Sequence, residues 1–210
     1  IAGNLKYFDK SKKNLEKNTK KLFKNRLIFC AASTHYNEEL FIGKIHKELK
    51  LKFKNLITIL IPRHVDRSQS IINELENIDL KTITKSSKKK ISKNTDIYVV
   101  DTYGETTKFY ELSNITFLGG SMVPHGGQNP LEPARMGNYI LHGPHIQNFK
   151  EIYIMLSKLN VSSKVNNINN MKKNIIRRIK YKQPQKVSHK LNFIGNQILK
   201  KNLKEINKYF

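Results

Sequence analysis

Tryptophan is absent from this chain and cysteine occurs once, at Cys30, so no disulfide framework can form within it. Cys30 lies in the apolar run Leu27-Ile28-Phe29-Cys30-Ala31-Ala32 and reads as a buried strand residue of a protein kept in a reducing compartment. Acidic residues are also scarce: 16 Asp and Glu stand against 39 Lys and Arg, a formal charge of +23. No apolar stretch reaches the roughly 18 to 20 residues that span a bilayer, and no signal-peptide pattern opens the chain. The first residue is Ile1, which suggests a piece of something longer. Three signatures are missing as well. Without GxxxxGK[ST] a Walker-type triphosphatase is disfavoured, without GxGxxG a dinucleotide fold is, and without HExxH the histidines lack a metal-binding spacing. His35, His64, His125, His142 and His145 read as belonging to separate loops, so no metal and no cofactor is expected.

What remains is enough for a packed core, since 38% of the 210 residues are apolar. The positive charge points toward anionic partners, but it comes from 33 Lys and only 6 Arg in a chain also rich in Asn and Ile, so about half of it reads as compositional background. Short β-prone runs alternate with helical segments: 27–32 then 38–51, 56–61 then 68–77, 96–100 then 106–112, and 115–118 then a helix from about Pro130, followed by 139–141 and a helix over 148–159. Such alternation predicts an α/β fold, a Rossmann-like parallel sheet with helices on both faces. Residues 9–25 read as a solvated linker or helix, and residues 81–95 as loop and edge strand. From Val161 the chain turns basic and polar. After Pro184, apolar residues at Val187, Leu191, Ile194, Ile198, Leu203 and Ile206 predict an amphipathic helix that packs on the core or rests on a membrane surface. The boundaries are therefore set at 1–160 for the Rossmann-like domain and 161–210 for a basic helical tail.

In a parallel sheet, ligands sit beyond the carboxyl ends of the strands. Each polar motif falls at such an end: Ser33-Thr34-His35, Pro62-Arg63-His64, Asp101-Thr102-Tyr103-Gly104-Glu105, and the loop Gly119-Gly120-Ser121 through Gly126-Gly127. Glycines allow positive φ and close approach of backbone N–H groups to an anion. Asn129-Pro130-Leu131-Glu132 then reads as a helix start, with Asn129 as N-cap and Pro130 as first helical residue. A strand, a glycine turn and a helix N-terminus together predict a phosphate site, with Glu132 accepting hydrogen bonds from ribose hydroxyls. Arg63 presents a planar donor fork that Pro62 pre-aims. Glu105 suits either a ligand or the first turn of the next helix.

These motifs, together with Gly3-Asn4-Leu5-Lys6 and Gly143-Pro144-His145, resemble in order the carboxyl-terminal half of 3-deoxy-D-manno-octulosonic acid (Kdo) transferases over residues 1 to about 160. The resemblance implies the second half of a GT-B glycosyltransferase, inverting and metal-independent. Such an enzyme moves Kdo from CMP-Kdo to a lipid A precursor in lipopolysaccharide biosynthesis, peripherally at the cytoplasmic face of the bacterial inner membrane. It assigns the CMP moiety to Pro62, Arg63, Tyr103, Gly104, Glu105, Asn129, Pro130, Leu131 and Glu132, and transition-state charge to Lys6. It also implies an amino-terminal half, not represented in these motifs, that supplies the acceptor site and the general base, so the segment alone is expected to be inactive. Gln128 stands where the family more often has His. Two other readings stay open. One is a UDP-sugar transferase or epimerase on the same scaffold. The other is a nucleic-acid-binding module, disfavoured because aromatic residues fall within apolar runs and arginine is scarce.

Overall fold

A computed structural model describes residues 17–182 and 185–207. After a short helix α1 (Lys17–Leu22), the chain runs β1 (Leu27–Thr34), α2 (Glu38–Lys52), β2 (Leu56–Pro62), a 3-10 turn (Val65–Arg67), α3 (Ser68–Glu76), β3 (Thr82–Thr84) and β4 (Ile97–Val99). It continues with α4 (Thr106–Tyr110), β5 (Ile115–Leu118), α5 (Leu131–Arg135), β6 (Tyr139–His142), α6 (Lys150–Lys158), β7 (Ser162–Lys164), α7 (Ile168–Arg178) and α8 (Gln185–Ile206). The seven strands form one sheet in the order β3-β4-β2-β1-β5-β6-β7, every pair parallel. The α/β sheet expected from the sequence is present.

Both faces of the sheet are covered because its central strands are largely apolar on both sides. In β2 all seven residues are buried. Side chains alternate across the pleat. Phe29, Ala31, Leu56 and Leu60 face one core with α2, α3 and α7, while Ile28, Cys30, Ala32, Ile57 and Ile59 face a second with α4, α5, α6 and Leu191 of α8. Fully burying one such Leu or Ile contributes about 1.5–3 kcal/mol. Cys30 is buried, as expected, and burial pushes its thiol up to about 12.

Beyond residue 160 the chain does not leave the sheet at once. Ser162–Lys164 pairs with β6, and Met171, Ile175 and Ile179 sit in the first core. The polar character of Ser162-Ser163-Lys164 suits an edge strand, and it hid the strand from a reading based on apolar runs. Helix α7 did leave a trace: Asn167 caps it, accepting the N–H of Asn170 at 2.9 Å, and Ile168, Met171, Ile175 and Ile179 follow at helical spacing. The long C-terminal helix is present as α8, with Leu191 buried. Residues 82–84 do form an edge strand. No helix among the described residues is long and apolar enough to cross a membrane.

Strand order reverses beside β1: the chain proceeds outward through β2 to the edge strand β3, inserts β4 between them, then returns to the other side of β1 for β5, β6 and β7. At such a switch point two consecutive connections leave in opposite directions and open a crevice at the carboxyl ends.

Candidate functional site

At that switch point lies the first departure from the sequence reading. The glycine turn expected to cradle a phosphate is filled from within. Glu38, the first residue of α2, is buried, and its carboxylate accepts four backbone N–H groups: His35 at 2.9 Å, Gly120 at 2.7 Å, Ser121 at 3.1 Å and Met122 at 2.9 Å. Gly119 meanwhile donates its N–H to Ala32 at 2.9 Å, extending the ladder between β1 and β5. The amides of Gly119 to Met122 are therefore spoken for, and no phosphate can use them without displacing Glu38. Glycine is required here for close packing: a Cβ at Gly119 would stand 2.3 Å from the Ser33 carbonyl oxygen, and one at Gly143 would stand 2.1 Å from that of Ser121. The Gly143 loop is tied to the same turn, since Gly143 donates to Ser121 Oγ at 2.8 Å and His145 to the Ser121 carbonyl at 2.9 Å.

The neighbouring carboxylate is also internal. Glu39 is fully buried and takes the Arg67 guanidinium through both oxygens, at 3.1 and 3.3 Å. Burial pushes its carboxyl up, and Arg67 offsets part of that.

Around this closed centre the remaining motifs project outward. Pro62 ends β2 and is buried, and the Arg63 N–H continues the ladder to the Thr34 carbonyl at 2.9 Å. The Arg63 side chain is exposed and forms no hydrogen bond or ion pair with the described residues. Tyr103 is 70% exposed, and Gly104, at φ 77°, has no atom within 4 Å of a notional Cβ. This loop is open on its outer side. Glu105 immediately precedes α4 and accepts from Thr102 Oγ1 at 2.8 Å, Lys85 Nζ at 2.6 Å and Lys108 Nζ at 3.1 Å. Partial burial would raise its pKa, but these donors outweigh it and hold the carboxyl at about 2. Glu105 stands at the N-cap position of α4, outside its first turn, and its carboxylate makes no capping hydrogen bond, so these contacts do not amount to the first-turn role expected of it.

Helix α5 starts one residue later than expected. Pro130 occupies the N-cap position, and Asn129 Oδ1 still receives the Leu131 N–H at 3.1 Å, so Asn129 caps from just outside. Leu131 is buried in the second core, which leaves only its backbone for a ligand. Glu132 accepts the Thr107 hydroxyl through Oε1, joining the start of α5 to the start of α4. Its Oε2 has no hydrogen bond among the described residues. Lys6 lies outside the described residues.

The structure also joins what the sequence kept apart. His35, His64 and His125 come from three loops, yet the His35 ring stacks on His125 with centroids 4.2 Å apart, and His64 meets it edge-on at 6.0 Å. No group of three His, Cys, Asp or Glu among the described residues is placed to hold a metal ion. The convergence follows from strand order, which sets β2, β1 and β5 side by side, and sequence spacing does not carry it.

The chain aligns with the 3-deoxy-D-manno-octulosonic acid transferase of Haemophilus influenzae at 37% identity over 170 residues, which is 79% of this chain and 40% of that protein. It is a homologue of the Kdo transferases. The enzyme of the same name from Rickettsia prowazekii is 36% identical over 168 residues, 79% of this chain and 36% of its own length. The chain thus spans about two fifths of these relatives. Among solved structures, the carboxyl-terminal CMP-Kdo binding domain of WaaA from Acinetobacter baumannii superposes with a TM-score of 0.71 at 26% identity, over 84% of this chain and 91% of that one. The α,α-trehalose 6-phosphate synthase of Burkholderia multivorans, at 10% identity and a TM-score of 0.56, shares the fold alone. No protein-family model matches the chain. The Kdo transferase resemblance read from the motifs is upheld by these relatives, and so is the Rossmann-like, GT-B-type sheet.

Proposed function

We propose that this chain is the donor-binding domain of a glycosyltransferase that moves Kdo from CMP-Kdo to a lipid A precursor in lipopolysaccharide biosynthesis. The observation that carries the reading is the placement of three loops, Pro62-Arg63, Tyr103-Gly104-Glu105 and Asn129 to Glu132, at the carboxyl ends of β2, β4 and β5 on one edge of the sheet. The similarity to the Acinetobacter baumannii CMP-Kdo binding domain supports it.

In this reading each group has a distinct task. Arg63, exposed and uncommitted, meets the phosphate as a fork of charged donors. Glu132 offers Oε2 to a ribose hydroxyl while Thr107 fixes the carboxylate through Oε1. Tyr103 lies over the open side of its loop, where an aromatic ring stacks on a base. The acceptor hydroxyl attacks the anomeric carbon as the bond to CMP breaks, with inversion. The base that takes the hydroxyl proton and the acceptor site come from an amino-terminal half. Lys6 and Arg63 stabilise the negative charge gathering on the departing CMP, so the reaction is metal-independent. The assembled enzyme works peripherally at the cytoplasmic face of the bacterial inner membrane, where its net positive charge of +23 favours an anionic surface.

Calorimetric titration with CMP, UMP and a short DNA duplex at moderate salt, without divalent metal, tests this reading. Selective CMP binding that Arg63→Ala abolishes supports it. Preference for UMP would move the chain to the UDP-sugar reading, and salt-sensitive DNA binding without nucleotide preference would replace both.

A further inference from the structure

The three imidazoles lie beside the plugged switch point. His64 and His125 are exposed, while His35 is only 9% exposed and its Nε2 is buried without a hydrogen-bond partner. A Cβ placed on Gly120 would stand 3.1 Å from His35 Nε2 and 3.4 Å from Gln128 Nε2, so both side chains pack closely against the bare glycine backbone. A buried nitrogen without a partner carries a desolvation cost that a ligand can recover.

The charged side chains that act on the His35 ring are positive. His125 comes from the loop after β5, His64 and Arg63 from the end of β2, and Arg67 from the 3-10 turn, where Glu39 on α2 holds it. Glu38, also on α2, accepts the His35 backbone N–H and spends its remaining capacity on Gly120, Ser121 and Met122. Burial first, then His125, His64, Arg63 and Arg67, hold the His35 imidazole down at about 4. Near neutral pH its ring is uncharged, and the two carboxylates nearby, Glu38 and Glu39, are already committed to backbone amides and to Arg67.

We propose that His35, His64 and His125 form a subsite for an anionic group of the donor, and that the anion enters together with a proton taken up by the cluster. This rests on the donor reading above and adds to it the residues that meet the anion and the proton linkage. A negative group beside the exposed His64 and His125 offsets the neighbouring cations, so a proton from solvent settles on the His35 ring stacked against His125. The phosphodiester and the carboxylate of the sugar acid share this chemistry.

Proton NMR of the imidazole signals against pH, on the full 210-residue chain, separates the two sources. The probes are cytidine 5′-methyl phosphate, a diester with no proton to lose near neutrality, then free Kdo, inorganic phosphate, and cytidine as the uncharged control. The expected result is that the lowest-titrating histidine rises by about one pH unit or more with the diester or with Kdo, and not with cytidine; whichever anion moves it is the occupant. Loss of that signal in His35→Gln assigns it, and if that variant does not fold, His125→Asn on the exposed loop assigns it through the altered ring-stacking shift. Calorimetry in buffers of different ionisation heat should then read proton uptake, with affinity falling as pH rises between the free and bound values by about tenfold in total for each unit of histidine shift. Diester binding without a histidine shift overturns the proposal and leaves the donor reading intact. A shift with Kdo or inorganic phosphate while no cytidine ligand binds keeps the anion site and removes the donor reading. No shift with any anion overturns the proposal outright.

Discussion

The Glu38 carboxylate receives the Gly120 backbone N–H at 2.7 Å across 82 residues of sequence, and with three further amides it holds the turn after β5 against the start of α2. A hydrogen bond to a charged group contributes about 1.5–3 kcal/mol, and an amide left unpaired in the interior costs a similar amount. Glu38→Gln keeps the shape but turns an NH₂ group toward N–H donors. It should lower the unfolding free energy by about 2–4 kcal/mol, read as a lower urea midpoint at unchanged slope. An unchanged midpoint would mean that the four contacts contribute little.

Glu132 tests the nucleotide side of the site. Glu132→Ala removes a charged acceptor at an intermediate-exposure position and should weaken CMP binding by about 1.5–3 kcal/mol, roughly ten- to hundredfold in Kd, with the fold retained. Thr107→Val, which removes only the hydroxyl that fixes the carboxylate, should cost less. Equal affinities for all three proteins would take Glu132 out of the site.

The glycines divide into two kinds. Gly104 has a positive φ of 77° and open space around it, so Gly104→Ala pays only the left-handed backbone cost of about 1–2 kcal/mol. At Gly119 a Cβ meets the backbone of Ser33 and Thr34 at 2.3 and 2.5 Å, and neither can swing aside as a side chain would. Gly119→Ala should therefore shift β1 against β5 and destabilise by more than Gly104→Ala. Thermal unfolding of the two variants side by side decides it, and a larger loss at Gly104 would contradict this packing.

Acid should destabilise the unliganded protein. His35 is held at about 4 against an ordinary 6.5, so between those values the unfolded chain binds more protons than the folded one, and the unfolding free energy falls as pH drops through that window. His46 and His142, lowered chiefly by burial, act in the same direction. Asp96 accepts from the Lys81 N–H at 3.0 Å and pairs with Lys50 Nζ at 3.0 Å; against the opposing effect of burial, these contacts and His46 hold it well below the carboxylate range, so its contribution is lost only at lower pH. Urea midpoints at pH 7.5, 5.5 and 4.5 should decline in that order, and a flat series would contradict the histidine assignment.

The sequence made the sheet legible because its central strands are mainly apolar runs, Leu56 to Pro62 being broken only by Thr58. It made the loops legible because polar motifs end those runs. It did not reveal that Glu38 would occupy the glycine turn. An acid in the first turn of a helix looks favourable for the helix dipole alone, and three of its four amide partners lie more than 80 residues away. The histidine cluster was hidden for the same reason, since the adjacency of β2, β1 and β5 belongs to topology. Helix α5 begins within one residue of the place the sequence suggested, and it stops after Arg135, where Gly137 at φ 79° turns the chain into β6.

The bond between Glu38 and the turn at 120–122 also bears on how the chain is made. During synthesis β1, α2 and β2 emerge long before Gly120, and until it arrives α2 carries a carboxylate three of whose four amide partners do not yet exist. Such a charge resists burial, so the first βαβ unit cannot close its carboxyl edge on its own. Docking of β5 beside β1 is what completes that edge, which couples the two sides of the sheet into one folding event.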